Sequence, residues 1–481
     1  MKQIVFLAIL YIFGVLLGLL FRRKIPIIFI ALSGFLWGAL GWVFFSLIWL
    51  SIGLYNIWSM GCTLILACLL ILVINIKKGI PSRNHLFLLG ITASFFVLLT
   101  FIFENLKVIS TTSDSEFIVF SAIKLAFSGL KNGYPISPMD FGIFIPIIHS
   151  SASFLGMDYF TVFHPMISVT FVAIYIYLFI LTTESIHIKP VIGFGMAILG
   201  VLAINSSSIF IWQTFYIHTN YIFMVFFLVS IITFWLGVKK ENEAWFKFSC
   251  FSLLGLGLTR TEAPLLVIIM VILMAKTMSY QIRSHWIAPL LLFLSVWYVR
   301  VLFIPDAGTT ILSSTDTLVI ATGCILLAIF MLFSNFAWFE HYFLPKLSVL
   351  LSSSMLFGLL ITFVLKPALM YKNLTNILID LLQTGGWGIT WYLLILLLIL
   401  SCFLPKIENE MYLVTGPFLL AGLILLVGFF RLPYRTLWTD SANRMFIEVQ
   451  PSIFFFVFLK HSQAISNTFK RIIKNKYKRW K

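Results

Sequence analysis

Apolar positions in this chain run in long unbroken stretches; they neither alternate nor recur every third or fourth residue. Stretches at about 3–21, 26–50, 55–76, 86–103, 160–182, 190–211, 216–238, 246–259, 263–275, 287–304, 317–334, 347–366, 388–404, 411–430 and 445–459 predict helices. Most reach the ~20 residues that cross a ~30 Å hydrocarbon core. In lipid every backbone amide must be bonded within its own segment, which favours the helix. The expected fold class is an all-α polytopic membrane protein with about 13–15 transmembrane helices and amphipathic helices in its outer loops.

Composition supports that picture. Of 481 residues, 61% are hydrophobic, 17% aromatic and only 10% charged, where a soluble domain is nearer half apolar and a quarter charged. This excludes a soluble enzyme, a disulfide-stapled secreted module and a disordered scaffold. Cys62, Cys68, Cys250, Cys324 and Cys402 all fall inside apolar stretches with no paired or metal-ligand spacing, and read as small core residues. The first apolar run carries no small-residue cleavage site and leads into another span, so it is expected to stay as a helix.

The net charge of +16, from 33 Lys+Arg against 17 Asp+Glu, would suggest nucleic acid in a soluble protein. Here the bases sit in short loops between spans. With Arg22-Arg23-Lys24 in the cytoplasm, bases favour the alternate loops that follow by roughly two to one. The basic tail from Lys460 then lies inside as a headgroup anchor. The long loops, about 104–159, 305–316, 367–387 and 431–444, fall on the outer face with most of the acids. Four regions follow: 1–103 as leading helices, 104–159 as an outer loop with surface helices, 160–460 as the transmembrane core, and 461–481 as the basic tail. No repeat, P-loop, H-E-x-x-H, G-x-S-x-G or CxxC occurs.

Four clusters interrupt the apolar background. Ser113-Asp114-Ser115-Glu116 opens a stretch, Phe117 to Leu130, that reads as a surface helix. Ser113 and Glu116 fit a capping box, which leaves the Asp114 carboxylate free to take a proton from a hydroxyl. Next, Gly133-Tyr-Pro135-Ile-Ser-Pro138-Met-Asp140 reads as an extended loop before an apolar run to Leu155-Gly156. His149 and His164 nearby read as satisfied histidines. Arg260-Thr261-Glu262 joins two apolar stretches too short for ordinary spans, and is either a helix-locking ion pair or the floor of a cavity. Arg431, Arg435, Asp440 and Arg444 sit on the outer face against the positive-inside tendency. Guanidinium grips phosphate with two parallel hydrogen bonds, so these arginines either contact phosphate or pair with outer carboxylates. Glu448 and Pro451 follow on the last apolar run, and 367–387 reads as an amphipathic outer segment.

In order and pattern these clusters resemble the C-type glycosyltransferases (GT-C), polytopic enzymes that use lipid-phosphate-linked sugars. The resemblance rests on Asp114 with Glu116 after a membrane helix, Pro135, Pro138 and Leu155-Gly156, Arg260-Thr-Glu262-Ala-Pro, and Asp440, Arg444 and Pro451, over about 104–460. Three helices precede the family's usual first one, and the acids are two apart rather than adjacent. The resemblance implies a sugar donor on a polyprenyl phosphate in the plasma (inner) membrane and a glycan, lipid or protein acceptor on the extracytoplasmic face. It also implies Asp114 as base, with Glu116 beside it, and Arg260, Glu262, Arg431, Arg435, Asp440 and Arg444 around the substrate phosphate. A carboxylate such as Asp114 can hold a divalent cation (Mg or Mn) in such sites; the sequence names no further cofactor and no nucleic-acid partner. Two alternatives stay open: a lipid-linked oligosaccharide polymerase or ligase, and a flippase or transporter of lipid-linked substrates.

Overall fold

The computed structural model describes residues 1–79, 81–106, 109, 113–130, 142–303, 314–335, 342–430, 433–438 and 440–479. Among these the chain is helical, without strands. In chain order the helices are α1 (Lys2–Leu19), α2 (Ile27–Ser51), α3 (Ile57–Lys77), α4 (Arg83–Leu106), α5 (Ser113–Ser128), α6 (Phe144–Phe154), α7 (Phe163–Ser185), α8 (Pro190–Ile204) and α9 (Ser208–Thr214). Then come α10 (Asn220–Lys240), α11 (Glu243–Thr259), α12 (Ala263–Ala275), α13 (Tyr280–Leu302), α14 (Ser314–Leu332), α15 (Leu344–Leu365), α16 (Pro367–Thr384), α17 (Thr390–Cys402), α18 (Met411–Phe430) and α19 (Ser441–Arg479).

Among the described residues nine helices are long and apolar enough to cross a membrane, or up to eleven if two bent pairs each count once. The protein is therefore an integral multi-pass membrane protein. The count among the described residues is below the expected 13–15 because several of the expected stretches are helices too short for a full crossing. α11, α12 and α17 have 17, 13 and 13 residues, and the apolar run at 445–459 is the middle of the 39-residue α19.

The stretch expected as one span at 190–211 is broken instead. α8 and α9 meet at 91°. Three consecutive polar residues cause the break. Asn205 Nδ2 donates to the Val201 carbonyl (2.9 Å) and Ser206 Oγ to that of Ala203 (2.7 Å), so their side chains compete with the helix ladder. The bend is tied down by Ser206 Oγ against Thr390 Oγ1 (3.0 Å) and by the Ile209 amide on the Gly386 carbonyl (3.2 Å). α15 and α16 turn through 113° at Pro367, placing the amphipathic 367–384 segment across the end of α15.

Small residues let α1 and α2 touch along their backbones. A Cβ on Gly38 would lie 1.7 Å from the Leu10 carbonyl, and one on Gly14 would lie 1.7 Å from that of Gly34. At one end of the molecule the short basic loops meet. Arg22 Nη2 donates to the Asn75 carbonyl (3.1 Å), Asn242 Nδ2 to that of Lys24 (2.8 Å), Lys239 pairs with Glu408, and Lys460 with Glu410 (3.4 Å). The polar residues that cluster at the start of α5, the α9–α10 turn and the start of α19 form a separate group.

Candidate functional site

Asp114 lies in the first turn of α5, where the unsatisfied amides of a helix start favour a carboxylate. Its Oδ2 accepts from Arg444 Nη1 at 2.7 Å and from the Tyr216 hydroxyl at 3.4 Å. The same Arg444 nitrogen reaches the Tyr216 oxygen at 3.5 Å, so one triangle joins α5, the α9–α10 turn and α19. Arg444 stands one turn into α19, whose start is fixed by Asp440: the Ala442 amide donates to Asp440 Oδ2 (3.1 Å) and the Arg444 amide to the Asp440 carbonyl (3.1 Å). The Arg444 Nε is buried and has no hydrogen-bond partner among the described residues.

A second cluster is built on the α11–α12 turn. Arg260 leaves α11 with extended backbone, and the residue is 8% exposed. Nη1 donates to Glu448 Oε1 (2.8 Å) and Asn220 Oδ1 (2.7 Å), and Nη2 meets Glu262 Oε1 at 2.6 Å. Thr261 Oγ1 donates to the other Glu262 oxygen (2.7 Å), and the Tyr298 hydroxyl closes on the carbonyls of residues 260 and 261. Two carboxylates thus share one guanidinium. Gly142, at φ +67°, lies against this turn: a Cβ there would be 2.2 Å from the Thr259 carbonyl. The Ile143 amide donates to the Leu258 carbonyl (3.1 Å), so the chain entering α6 is fastened to the Arg260 turn.

His218 links the two clusters. Burial holds its imidazole well below the usual histidine range, and the charges of Arg444 and Arg260 push it further down. It stacks on Tyr216 (5.3 Å, 8° between planes). Trp212 stacks on Tyr216's ring at 4.1 Å, and Trp438 stands 5.6 Å beyond Trp212. The loop after α16 supports Trp438. Gly386, at φ +78°, lies so near that a Cβ would be 2.7 Å from Trp438 Nε1. Asn443 Nδ2 donates to the carbonyls of Trp438 and Gly385, both at 3.0 Å, and Asn443 Oδ1 accepts from Trp387 Nε1. Gln213, next to Trp212, is fully buried with both amide atoms unpaired among the described residues.

The structure brings Asp114, Arg444, Asp440, Arg260 and Glu262 toward one end of the core, joined through His218. Glu116 points elsewhere. It lines a cavity of about 510 Å³ with Ser115, Asp158 and Tyr159, because residues two apart on a helix face nearly opposite ways. Arg435 is exposed and shares a different cavity of about 440 Å³ with Lys372, Asn376 and Tyr434. Its loop is held by Asn373 Oδ1 accepting from the Tyr434 amide (2.9 Å). Arg431, Pro135, Pro138 and Asp140 lie outside the described residues, as does the Ser113 side chain on which the capping box depends. His149 and His164 are buried with Nε2 atoms 3.5 Å apart, and His149 Nδ1 accepts from the Phe160 amide (3.1 Å). Among the described residues no three His, Cys, Asp or Glu side chains gather within reach of one metal ion. Asp114 faces the Arg444 guanidinium through Oδ2.

The sequence reading passed over Trp212, Tyr216, His218, Asn220 and Trp438. A signal was present: Tyr216-Ile-His218-Thr-Asn220 puts four hydrogen-bonding side chains at the mouth of an apolar run, where they are costly unless used. No protein-family model, no curated protein and no solved structure matches this chain.

Proposed function

We propose that the chain is a membrane glycosyltransferase of the GT-C kind. It moves a sugar from a polyprenyl-phosphate donor to an acceptor hydroxyl at the extracytoplasmic face of the plasma membrane, with the basic loop end and the C-terminus in the cytoplasm. The observation that carries the reading is the Asp114–Arg444 pair, which joins an acid early in the chain to a cation near its end. Beside it lie an aromatic wall and buried polar groups without partners among the described residues.

In this reading the acceptor hydroxyl gives its proton to Asp114. The hydroxyl oxygen then attacks the anomeric carbon, and the bond to the lipid-phosphate oxygen breaks with its electron pair going to the phosphate. Arg444, with an Nε–H still unpaired, stabilises the charge that develops on the leaving phosphate. Tyr216 and Arg444 hold the carboxylate through Oδ2, so the acceptor meets its other oxygen. The Arg260–Glu448–Glu262 cluster acts as a frame beneath, joining α10, the α11–α12 turn and α19. Arg435, with Lys372, belongs to a separate cationic recess that suits an anionic lipid headgroup region.

The test is transfer by purified protein from a panel of synthetic polyprenyl-phosphate sugars, comparing wild type with Asp114→Asn. Loss of about 10²–10⁴ in rate with intact folding is the expected result for removing a positioned base. Equal turnover in both proteins removes Asp114 from the chemistry and overturns the reading.

A further inference from the structure

Among the described residues, the aromatic side chains beside Asp114 are ordered as a strip. Tyr216, whose hydroxyl donates to Asp114, stacks with both His218 and Trp212. Trp212 is followed by Trp438, tilted 47° to it, with 41% of its surface exposed. The strip therefore runs from the surface inward to the carboxylate.

Its placement is specific. Trp438 stands on the chain that enters α19, and Gly386 and Asn443 fix both its ring edge and its carbonyl. Asn443 is itself 1% exposed and fully used by Gly385, Trp438 and Trp387. A tryptophan held so firmly, yet left with an open face, is arranged to meet something. Polar groups accompany the strip, with Asp440 two residues beyond Trp438 in the chain, Gln213 beside Trp212 with its amide unpaired among the described residues, and the Tyr216 hydroxyl at the inner end, while Ile211 and Leu437 next to the two tryptophans are exposed aliphatic residues. A sugar ring presents C–H groups on one face and hydroxyls at its rim, matching aromatic faces flanked by hydrogen-bonding groups.

We infer that the Trp438–Trp212–Tyr216 strip is a saccharide-binding wall. It seats the sugar residue that carries the attacking hydroxyl, so that the acceptor is itself a glycan. This rests on the reading of Asp114 as base and names the acceptor class for that site. Trp438 stacks on the outer sugar ring, and the reacting hydroxyl lies at the Tyr216 end.

The experiment is calorimetric titration of the detergent-solubilised full chain with trisaccharides of glucose, mannose and N-acetylglucosamine, and with a serine-containing peptide of similar length. The expected result is binding of at least one trisaccharide, weakened about tenfold by Trp438→Ala, since an aromatic stacking contact is worth up to about that factor. Trp438→Phe, which keeps a ring, recovers most of it. Trp58→Ala removes another exposed tryptophan, 80% open and on α3, and leaves binding as in wild type. In the transfer assay with the bound trisaccharide as acceptor, the Trp438→Ala loss falls on KM more than on kcat. Absence of binding by every trisaccharide, binding of the peptide alone, or unchanged affinity in Trp438→Ala overturns the inference. The two readings fail separately. Asp114-dependent transfer indifferent to Trp438 sinks the wall alone. Trp438-dependent saccharide binding with no transfer from any donor sinks the enzyme alone.

Discussion

The buried cluster around Arg260 carries two carboxylates for one guanidinium, and that imbalance dictates an order of mutant stabilities. Arg260 is bonded to Glu448, Glu262 and Asn220 at 2.8, 2.6 and 2.7 Å, and Glu448 is only 2% exposed. Arg260→Gln strands both carboxylates in a site that water barely reaches. Removing one member of such a pair costs about 3–5 kcal/mol, mostly as the penalty on the charge left behind. Glu448→Gln is different. The amide oxygen still accepts from Arg260, Glu262 still balances the guanidinium, and repulsion between the carboxylates disappears, so the loss is about 1 kcal/mol. In the double variant no stranded charge remains at 448, and about 2 kcal/mol of the Arg260→Gln loss returns as a coupling energy. Equilibrium unfolding in mixed detergent micelles, followed by the helical far-ultraviolet signal, measures all four proteins. A Glu448→Gln variant as damaged as Arg260→Gln, or a double variant no better than Arg260→Gln, refutes this account of the cluster.

Two further predictions concern the same end of the molecule. His218 is held neutral by burial and by the flanking arginines, whereas an unfolded chain protonates it near 6.5. The unfolded state thus binds the extra proton, and stability declines as pH falls below about 6.5. His218→Phe flattens that acid-side decline in melting temperatures taken from pH 8 to 5, and an unaltered slope contradicts it. Gly142→Ala combines a left-handed backbone, worth about 1–2 kcal/mol against any other residue, with a Cβ 2.2 Å from the Thr259 carbonyl. It lowers the melting temperature, while Gly61→Ala, with nothing within 4 Å, does not; equal melting of the two variants refutes the close approach.

Much of the helix order was legible because hydrocarbon imposes a length on apolar runs whatever their detailed sequence. Length was also where the reading overreached. Asn205-Ser206-Ser207 scores as a small polar interruption in a hydropathy window, yet it turns the chain through 91°. The amphipathic segment after Pro367 was legible because proline and a change in polarity mark it together. Within the site, Asp114, Arg260, Glu262 and Arg444 stood out as charges in a chain that has few. Their partners did not. Nothing local ties Arg444 to Asp114 or Arg260 to Glu448, since both pairings depend on how the helices stack. Glu116 shows the opposite limit: a place two residues from Asp114 suggested a shared role, and helical geometry turns it into a cavity that Asp114 does not line.

The ion pair between Asp114 and Arg444 spans 330 residues, and that distance is also a delay. At about 5–20 residues per second, roughly 15–70 s of synthesis separate the emergence of the acid from that of its cation. Throughout that interval the start of α5 must hold a carboxylate whose final neighbour does not yet exist. A chain cut short before α19 has its leading helices, its α6 anchor and its Arg260 turn, but no counter-charge for Asp114 and no frame for Trp438. Completion of the Asp114 cluster is therefore an event of the last helix, and a ribosome that stops early releases an inserted protein without that ion pair.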